Sequence, residues 1–456
     1  MTSWLPDISG SRQPAYLAIA DAIGDAIRHG RLRPGDRLPT HRLLADLLGV
    51  NVSTVTRAYR EAGRRRLLGG EVGRGTYVLG VASEAALFAL ERRPEGGVID
   101  LSPNTPPALA SDPDLAEALA AFDAAAAARL LHYPAPGDAL LHGRAASAWL
   151  GRRGVVADPD DVVVCAGAQH AMDTAISLFP EVEELASEAL VYPGLKAVAR
   201  RLRRRLHAME MDGEGVLPES FAAACRAGVR LAVLSPTLHN PTTATMGADR
   251  RRRIVEVARR YDARIIEEDV YGLLPDGAPP PLAALAPERV LYVTGLSKTV
   301  APGLRIGYLA VPPGLRERRQ GMSHHTTWYV SPLSVALATR WLADGTAARR
   351  LAAQRRELAE RHRVCVRELN GLEWRGEKHC PHVWLVLPRG QSDAFAGRAL
   401  GAGVVVVPAS VFAAGRSPGL DGVRISIGAA ADQNALAEAL ARLVRLAGTG
   451  RVGPRS

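Results

Sequence analysis

A single lysine, Lys298, stands in the run TGLSKTVAPGLRIGYL (294–309), where its amine could do covalent chemistry. The chain carries 57 Lys and Arg side chains, and only Lys196, Lys298 and Lys378 among them are lysines. A lysine amine can condense with an aldehyde when its neighbours keep part of it unprotonated, whereas a guanidinium stays protonated. Because the run follows a predicted strand, Lys298 is expected at the carboxyl end of a strand, where active sites of parallel α/β sheets collect.

Other runs place anion-binding and hydrogen-bonding groups after predicted strands. Ser297 and Arg305 supply a hydroxyl and a cation for a phosphate. The run AGAQH (166–170) opens a helix, whose first amides can hold an anion. The runs HNPTT (239–243) and EEDVY (267–271) add an amide, a carboxylate and a phenol. Together these groups match the needs of pyridoxal phosphate, which are an imine-forming amine, a phosphate clamp, donors to its ring oxygen and an anion facing its pyridinium nitrogen.

The alternation of strand and helix patterns indicates the fold that must position these groups. The chain has 456 residues, too many for one ordinary domain. Short β-branched runs alternate with helical patterns from about residue 99, which is typical of an α/β domain with a largely parallel sheet. Helices and strands over about 350–450 predict a smaller α+β subdomain. The predicted strands lie at 162–167, 230–236, 264–269 and 290–295, and then near 383–387, 404–407 and 423–427.

The first 80 residues predict a separate small domain. Apolar residues at helical spacing predict a helix over 14–28. Thr40 can cap a second helix, and Asn51 or Ser53 can cap a third. The glycines and alternation of 69–80 predict a β-hairpin. Two short helices joined by a glycine turn and followed by a hairpin describe a winged helix-turn-helix.

The third helix of this domain has two distinct faces. Its apolar face carries Val55, Ala58, Tyr59 and Ala62. Its opposite face carries Ser53, Thr56, Arg57 and Arg60, and Arg64 continues it. The basic face is expected to enter the major groove, with its arginines on base edges or phosphates and its hydroxyls on phosphate oxygens. The alternative is that these arginines only solvate a surface helix.

Residues 14–79 resemble the DNA-binding domain of the GntR family of bacterial regulators. The matching runs are AIRHGRLRPGDRLPTHRLLADLLGVNVSTVTRAYREA and GRGTYV. The resemblance implies that the basic residue after the LP turn and the start of the third helix meet double-stranded DNA. The implied contact residues are Arg42, Ser53, Thr54 and Arg57.

Composition constrains the partners and the compartment. The formal net charge of +10 indicates an anionic partner, although an arginine-rich proteome would give the same value. The arginine runs at 199–206 and 249–254 are interpreted as solvated helix faces, with a second DNA site as the alternative.

No apolar run approaches the length of a membrane span and no secretory signal is visible, so a cytoplasmic protein is expected. Four dispersed cysteines indicate neither a zinc site nor a disulfide framework: Cys165, Cys225, Cys365 and Cys380.

The region from about 100 to 445 resembles fold-type I, class I aminotransferases, and the two units together resemble the MocR-type branch of the GntR regulators. The resemblance implies that Lys298 is the Schiff-base lysine and that Asn240 and Tyr271 bond the ring oxygen of the cofactor. It implies that Arg424, in GVRISIG, binds a substrate or effector carboxylate. It also implies that Tyr133 reaches the phosphate of the partner subunit in a homodimer. The implied phosphate ligands are Ala168, Gln169, Ser297 and Arg305.

Three positions depart from the pattern of that family. Glu268 stands where an aspartate is expected three residues before the tyrosine, and Asp269 would project to the opposite face of the strand. Leu195 is assigned to the place of the aromatic that stacks on the cofactor, and Gly295 replaces the first serine of the lysine motif. A lost stacking contact should cost ~0.5–1.5 kcal/mol of cofactor affinity. These departures predict inefficient transamination.

The sequence therefore predicts a multidomain transcription regulator. Residues 1–80 form the winged helix, 81–98 the linker and 99–450 the aminotransferase-like domain. The large domain is expected to bind pyridoxal phosphate, to sense the cofactor or a small amino compound as effector, and to form the dimer. Two alternatives stay open, namely an active aminotransferase with an attached DNA-binding domain and a degenerate regulator that no longer binds the cofactor.

Overall fold

The structure is a computed structural model of the full chain. It describes residues 4–8, 13–28, 31–32, 36–64, 67–71, 75–78, 97–109, 113–319, 328–415 and 420–448. The predicted linker over 81–98 lies outside the described residues apart from Gly97 and Val98. An N-terminal unit precedes the linker and a larger unit follows it.

Three helices and a hairpin form the N-terminal unit. Thr40 Oγ1 accepts a hydrogen bond from the Leu43 amide at 3.3 Å, and Gly49 ends the second helix in the left-handed region with φ of 64°. The N-cap prediction for Thr40 is confirmed, while the third helix starts directly after Asn51. The elements are α1 (Ala15–Arg28), α2 (His41–Leu48), α3 (Val52–Arg64), β1 (Leu68–Glu71) and β2 (Gly75–Val78).

The apolar stripes of these helices form one core. The predicted inner face of α3 is buried at all four positions, and it packs with Ile19 and Ile23 of α1 and Leu44 of α2. The Tyr59 hydroxyl donates to the Pro39 carbonyl at 2.9 Å, which ties α3 to the segment before α2. This packing leaves the opposite face of α3 turned outward.

A seven-stranded sheet forms the centre of the larger unit, in the order β4-β12-β11-β10-β9-β5-β6. The pairings from β11 to β6 are parallel, and β12 runs antiparallel to both of its neighbours. Both faces of the sheet are covered by apolar side chains. The strands are β4 (Val162–Cys165), β5 (Glu184–Glu188), β6 (Arg205–Met209), β9 (Leu231–Leu234), β10 (Arg264–Glu268), β11 (Val290–Gly295) and β12 (Gly307–Ala310).

Helices flank this sheet, and several of them start at the carboxyl end of a strand. A short hairpin, β7 (Met211–Asp212) with β8 (Gly215–Val216), follows β6. The helices are α4 (Asp114–Ala120), α5 (Ala124–Arg129), α6 (Pro136–Gly151), α7 (Ala168–Ser177), α8 (Pro193–Arg201), α9 (Pro218–Arg226), α10 (Ala248–Arg260), α11 (Leu282–Leu285), α12 (Arg316–Arg319) and α13 (Pro332–Ala343).

A smaller α+β layer follows α13. Its four-stranded antiparallel sheet has the order β13-β14-β17-β16. The separate strand β15 pairs in parallel with β3, so residues 99–101 belong to the core of this layer although they precede the large sheet in the chain. The elements are β3 (Ile99–Asp100), α14 (Thr346–Glu368), β13 (Trp374–Arg375), β14 (Val383–Val386), α15 (Ser392–Gly401), β15 (Val404–Val405), β16 (Val407–Pro408), β17 (Gly422–Ile425) and α16 (Gln433–Gly448).

Within the described ranges, no helix is long and apolar enough to cross a membrane, and no group of three His, Cys, Asp or Glu side chains is placed to hold a metal ion. All four cysteines are free and buried.

Candidate functional site

Lys298 lies just after β11, at the carboxyl end of the strand, and is half-buried. Its Nζ donates a hydrogen bond to the Asn104 carbonyl. Burial, and then the nearby Arg424 and Arg305 guanidinium groups, lower the pKa of Lys298 to about 8, while Glu268 opposes the shift. A substantial fraction of the amine is therefore neutral near physiological pH, which is the state that attacks an aldehyde.

Arg305 and Ser297 meet at the first turn of α7. Arg305 Nη1 donates to Ser297 Oγ at 3.3 Å. A Cβ on Gly167 would lie 2.6 Å from Arg305 Nη2, so the guanidinium sits directly against the backbone that leads into the helix. The first helical bond runs from the Ala171 amide to the Gly167 carbonyl, and the amides of 168–170 therefore have no partner within the helix. Three kinds of phosphate ligand come together here.

Gln169 and Ala168 lie in this first turn of α7, as the sequence predicts. Gln169 Nε2 donates to the Gly194 carbonyl at 2.9 Å, so this side chain ties α7 to α8. Because this side chain is engaged by Gly194, the backbone amides are the groups of the first turn that have no partner within the helix.

Arg424 projects from β17 toward Asn240 of the loop after β9. Its Nη1 donates to Asn240 Oδ1 at 2.9 Å, and its Nη2 donates to the Ser102 carbonyl. Phe412 lies under the guanidinium, 5.0 Å from the ring centroid. Burial lowers the pKa of Arg424 to about 10, so the side chain stays charged at neutral pH. Its Nε is buried and has no hydrogen-bond partner among the described residues.

Tyr271 is joined to the lysine through Asn104. Asn104 Nδ2 donates to the Tyr271 hydroxyl oxygen at 2.8 Å, while the Asn104 carbonyl accepts from Lys298. Burial raises the pKa of Tyr271 well above its ordinary value, so the phenol keeps its proton and can donate it. His382 packs beside this pair with its ring centroid 5.7 Å from that of Tyr271, and burial lowers its pKa to about 3. No local motif marks Asn104, because its place depends on the pairing of β3 with β15.

Glu268 ends β10 beside a second carboxylate that no sequence motif indicated. Ser235 Oγ donates to Glu268 Oε2 at 3.0 Å, and the Ser235 amide donates to Glu188 Oε1 at 2.6 Å. Burial raises the pKa of both carboxyl groups, that of Glu188 to about 8, and Lys298 counteracts the shift at Glu268. At neutral pH Glu188 is therefore largely protonated, whereas Glu268 is the acidic side chain whose charge acts on Lys298.

Asp269 points to the opposite side of the strand, in agreement with strand alternation. Arg153 Nε donates to Asp269 Oδ2 at 2.9 Å, and the Tyr292 hydroxyl donates to the same oxygen at 2.9 Å. Both members of the ion pair are buried. Asp269 is thus engaged in the core, and Glu268 is the acidic side chain of β10 on the site side.

Tyr192 shares the charged neighbours of Lys298, whereas Leu195, which the sequence assigns to the place of the stacking aromatic, lies in the apolar core. Leu195 is buried in the core between α7, α8 and the sheet. Tyr192 precedes the P-G turn and is half-buried. Burial, followed by the Glu268 charge, raises its pKa to about 12, and the Arg424 and Arg305 charges also act on it. The proline and glycine after Tyr192 open α8, and Leu195 is buried in the first turn of that helix.

Gly295 and Tyr133 complete the predicted set. A Cβ on Gly295 would lie 3.1 Å from the Ile306 carbonyl and 3.6 Å from the Ala168 amide, so this glycine brings β11 close to α7. Tyr133 is 80% exposed and packs against Tyr329 with ring centroids 5.6 Å apart. No contact within the described part of this chain brings Tyr133 to the lysine site.

On the N-terminal unit, the outer face of α3 presents the predicted DNA contacts. Ser53, Arg57 and Arg60 are exposed, and so is Arg42 of α2. Thr54 and Thr56 are half-buried, and the Thr56 hydroxyl donates to the Val52 carbonyl at 2.9 Å. Thr56 therefore has a local partner that competes with a phosphate.

The arginine runs of the larger unit are paired with carboxylates of the same unit. Arg250 forms ion pairs with Asp212 and Glu214, and Arg253 pairs with Glu219. Arg251 is fully buried and donates to backbone carbonyls and a threonine. These contacts favour a helix face of the large unit over a second DNA site for 249–254, and they differ from a fully solvated face because Arg251 is buried.

Two protein-family models match the chain, and they correspond to the two units. The model of the bacterial regulatory proteins of the gntR family matches residues 15–78. The model of aminotransferase class I and II matches residues 96–443.

Relatives with both units are similar along most of their length. The chain is 30% identical over 447 residues to the "Uncharacterized HTH-type transcriptional regulator YdeF" of Bacillus subtilis (strain 168), covering 97% of this chain and 96% of that protein. It is 26% identical over 391 residues to the "Probable rhizopine catabolism regulatory protein MocR" of Rhizobium meliloti, covering 77% of this chain and 76% of that protein. Among solved structures, the α-aminoadipate aminotransferase LysN from Thermus thermophilus shares the fold, with a TM-score of 0.71, 24% identity and coverage of 86% of this chain and 98% of that chain.

Proposed function

Because the chain belongs to the MocR-type branch of the gntR family of bacterial regulators, we propose that it is a transcription regulator that holds pyridoxal phosphate at Lys298. The winged helix, residues 1–80, binds operator DNA, and residues 99–450 sense the ligand. The observation that carries the proposal is the Lys298 amine, with its pKa lowered to about 8, beside Arg305, Arg424 and Glu268. A partly neutral amine can attack an aldehyde, and the neighbouring cations can bind a phosphate. These groups together would bind a phosphorylated aldehyde.

The residues at the site fit the cofactor group by group. Arg305, Ser297 and the amides at the start of α7 would hold the phosphate, and the close approach of Gly167 to the guanidinium supplies the cradle. Tyr271 and Asn240 would donate to the ring oxygen. When bound, pyridoxal phosphate supplies an electrophilic carbon and a ring that can accept electrons.

Glu268 and Tyr192 would complete the hold on the ring. Glu268 is the one acidic side chain of β10 that shares an environment with the lysine, and it would face the pyridinium nitrogen. Tyr192, whose charge neighbours are Glu268, Arg424 and Arg305, would supply the aromatic contact. That contact would offset the loss of stacking expected at Leu195, while the departures at Gly295 and Glu268 remain.

Arg424 would bind the carboxylate of a small amino compound that acts as effector. Its buried Nε has no partner in the described structure, and its two terminal nitrogens hold only an amide oxygen and a carbonyl. A carboxylate would satisfy the guanidinium in a bidentate pair. The effector would shift the orientation of the DNA-binding domains by binding two arrangements with different affinity.

A homodimer would cover an exposed apolar surface on the large unit. Leu131 is 86% exposed, Tyr133 80%, Trp328 62% and Leu141 60%, which is unusual for side chains this large. Burial of that surface would bring Tyr133 to the phosphate of the second subunit. A regulator of this kind acts in the cytoplasm, where the operator DNA is.

The test combines spectroscopy with DNA binding by the full chain. Pyridoxal phosphate added to the purified protein should give an absorbance band near the visible edge that Lys298→Ala lacks, and it should change the mobility of the operator complex in a gel shift. Sustained keto-acid production from amino acids would instead favour the aminotransferase. Absence of the band in the wild-type chain would favour the degenerate regulator.

A further inference from the structure

The guanidinium of Arg57 lies on the ring of Tyr16. Its Cζ is 4.1 Å from the ring centroid, a distance at which a cation is attracted by the ring face. Tyr16 is on the first turn of α1 and Arg57 on the outer face of α3. The described structure records no comparable ring contact for Arg42 or Arg60, which are exposed on the same side.

Tyr16 is held in place by the core of the N-terminal unit. It is half-buried and packs against the cluster that contains Ile19, Ile23 and Val55. The ring therefore cannot follow Arg57 into solvent without loss of packing. A long arginine side chain, which otherwise samples many rotamers, is confined to one region above α1.

The contact with Tyr16 keeps the hydrogen-bonding groups of Arg57 available. The cation lies over the face of the ring, and this attraction uses none of the N–H donors in a conventional hydrogen bond. Those donors can still bind a phosphate or the edge of a guanine in a bidentate pair. Tyr16 thus restrains the side chain without consuming the groups that contact DNA.

We propose that Tyr16 is a positioning residue for DNA binding, which orders Arg57 before the DNA arrives. The inference rests on DNA binding by the winged-helix domain. Immobilising a rotamer-rich side chain on binding has an entropic cost, and a pre-ordered side chain avoids much of that cost. Loss of the ring should therefore weaken DNA binding by about threefold to tenfold.

The experiment is a double-mutant cycle on the full chain. The probe is a duplex that the wild-type protein selects from a random pool, and binding is measured by fluorescence anisotropy at fixed salt. Tyr16→Leu removes the ring, and Tyr16→Phe keeps it. Each is measured in the wild-type, Arg57→Gln and Arg60→Gln backgrounds, where Arg60 is the matched control one turn along the same helix.

Tyr16→Leu should weaken binding in the wild-type and Arg60→Gln backgrounds and have no effect in the Arg57→Gln background. Tyr16→Phe should bind like wild type. An equal loss in all three backgrounds, a gain in affinity, or a loss with Tyr16→Phe would overturn the proposal. Circular dichroism checks the fold, and Tyr16→Met repeats the cycle if the leucine variant unfolds. Failure of the wild-type chain to select any duplex would instead contradict DNA binding itself.

Discussion

The buried carboxyl of Glu188 should make the free energy of unfolding fall as pH rises, and one substitution can test this. Burial, reinforced by the charge of Glu268, raises its pKa from 4.5 to about 8. In the unfolded chain this carboxyl ionises near 4.5, whereas in the folded protein it stays protonated until about pH 8. Between these values the unfolded chain binds fewer protons, so the free energy of unfolding falls as pH rises. At about 1.36 kcal/mol per unit, the loss from this group reaches about 5 kcal/mol at pH 8.

Glu188→Gln removes the ionisable group, and with it the pH-dependent loss of stability, while it keeps the size and shape of the side chain. The amide oxygen can still accept from the Ser235 amide, as Glu188 Oε1 does at 2.6 Å. Denaturant unfolding of the large unit, followed by tryptophan fluorescence from pH 4 to 9, should show the variant increasingly more stable than wild type between pH 5 and 8, and a constant difference above. Glu184→Gln, at a half-exposed carboxyl on the same strand, is the control. Parallel wild-type and Glu188→Gln curves would refute the reasoning.

Three further predictions concern the cofactor site and its support. Gly167→Ala should weaken pyridoxal phosphate binding by about tenfold or more in a spectroscopic titration, because its Cβ would displace the adjacent guanidinium, whereas Gly303→Ala, in open space, should not. The rate of cofactor loading should rise about tenfold from pH 7 to 9 and then level off, since the pKa of Lys298 is lowered to about 8; a continued rise would contradict this. Asp269→Ala should cost about 3–5 kcal/mol in denaturant unfolding by leaving Arg153 buried and unpaired, and an unchanged midpoint would exclude that role.

Elements with strong local patterns were predictable from the sequence. The strand predicted at 290–295 has those bounds in the structure, and the strand predicted at 264–269 ends one residue earlier. Thr40 caps its helix because a short hydroxyl before an apolar run satisfies a free amide there. These features depend on a few adjacent residues.

Features that depend on distant segments were missed. Asn104 contacts Lys298 although the two residues are 194 positions apart in the sequence. Ser235 contacts both Glu188 and Glu268, which lie on the two strands beside its own. Nothing in the neighbouring residues marks such positions. Tyr192 and Leu195 flank a P-G turn that opens a helix, and the local sequence does not show which of the two lies in the core.

The central claim is that the amine of Lys298 takes the aldehyde of pyridoxal phosphate, and borohydride reduction followed by peptide mass spectrometry tests it most directly. One pyridoxyl phosphate adduct per chain is expected, on the peptide that contains Lys298, at stoichiometric cofactor. The two other lysines serve as internal controls, because Lys196 donates to the Val411 carbonyl at 2.7 Å and Lys378 lies outside the site. Labelling spread equally over the three lysines, or absent from Lys298, would show that Lys298 does not hold the cofactor.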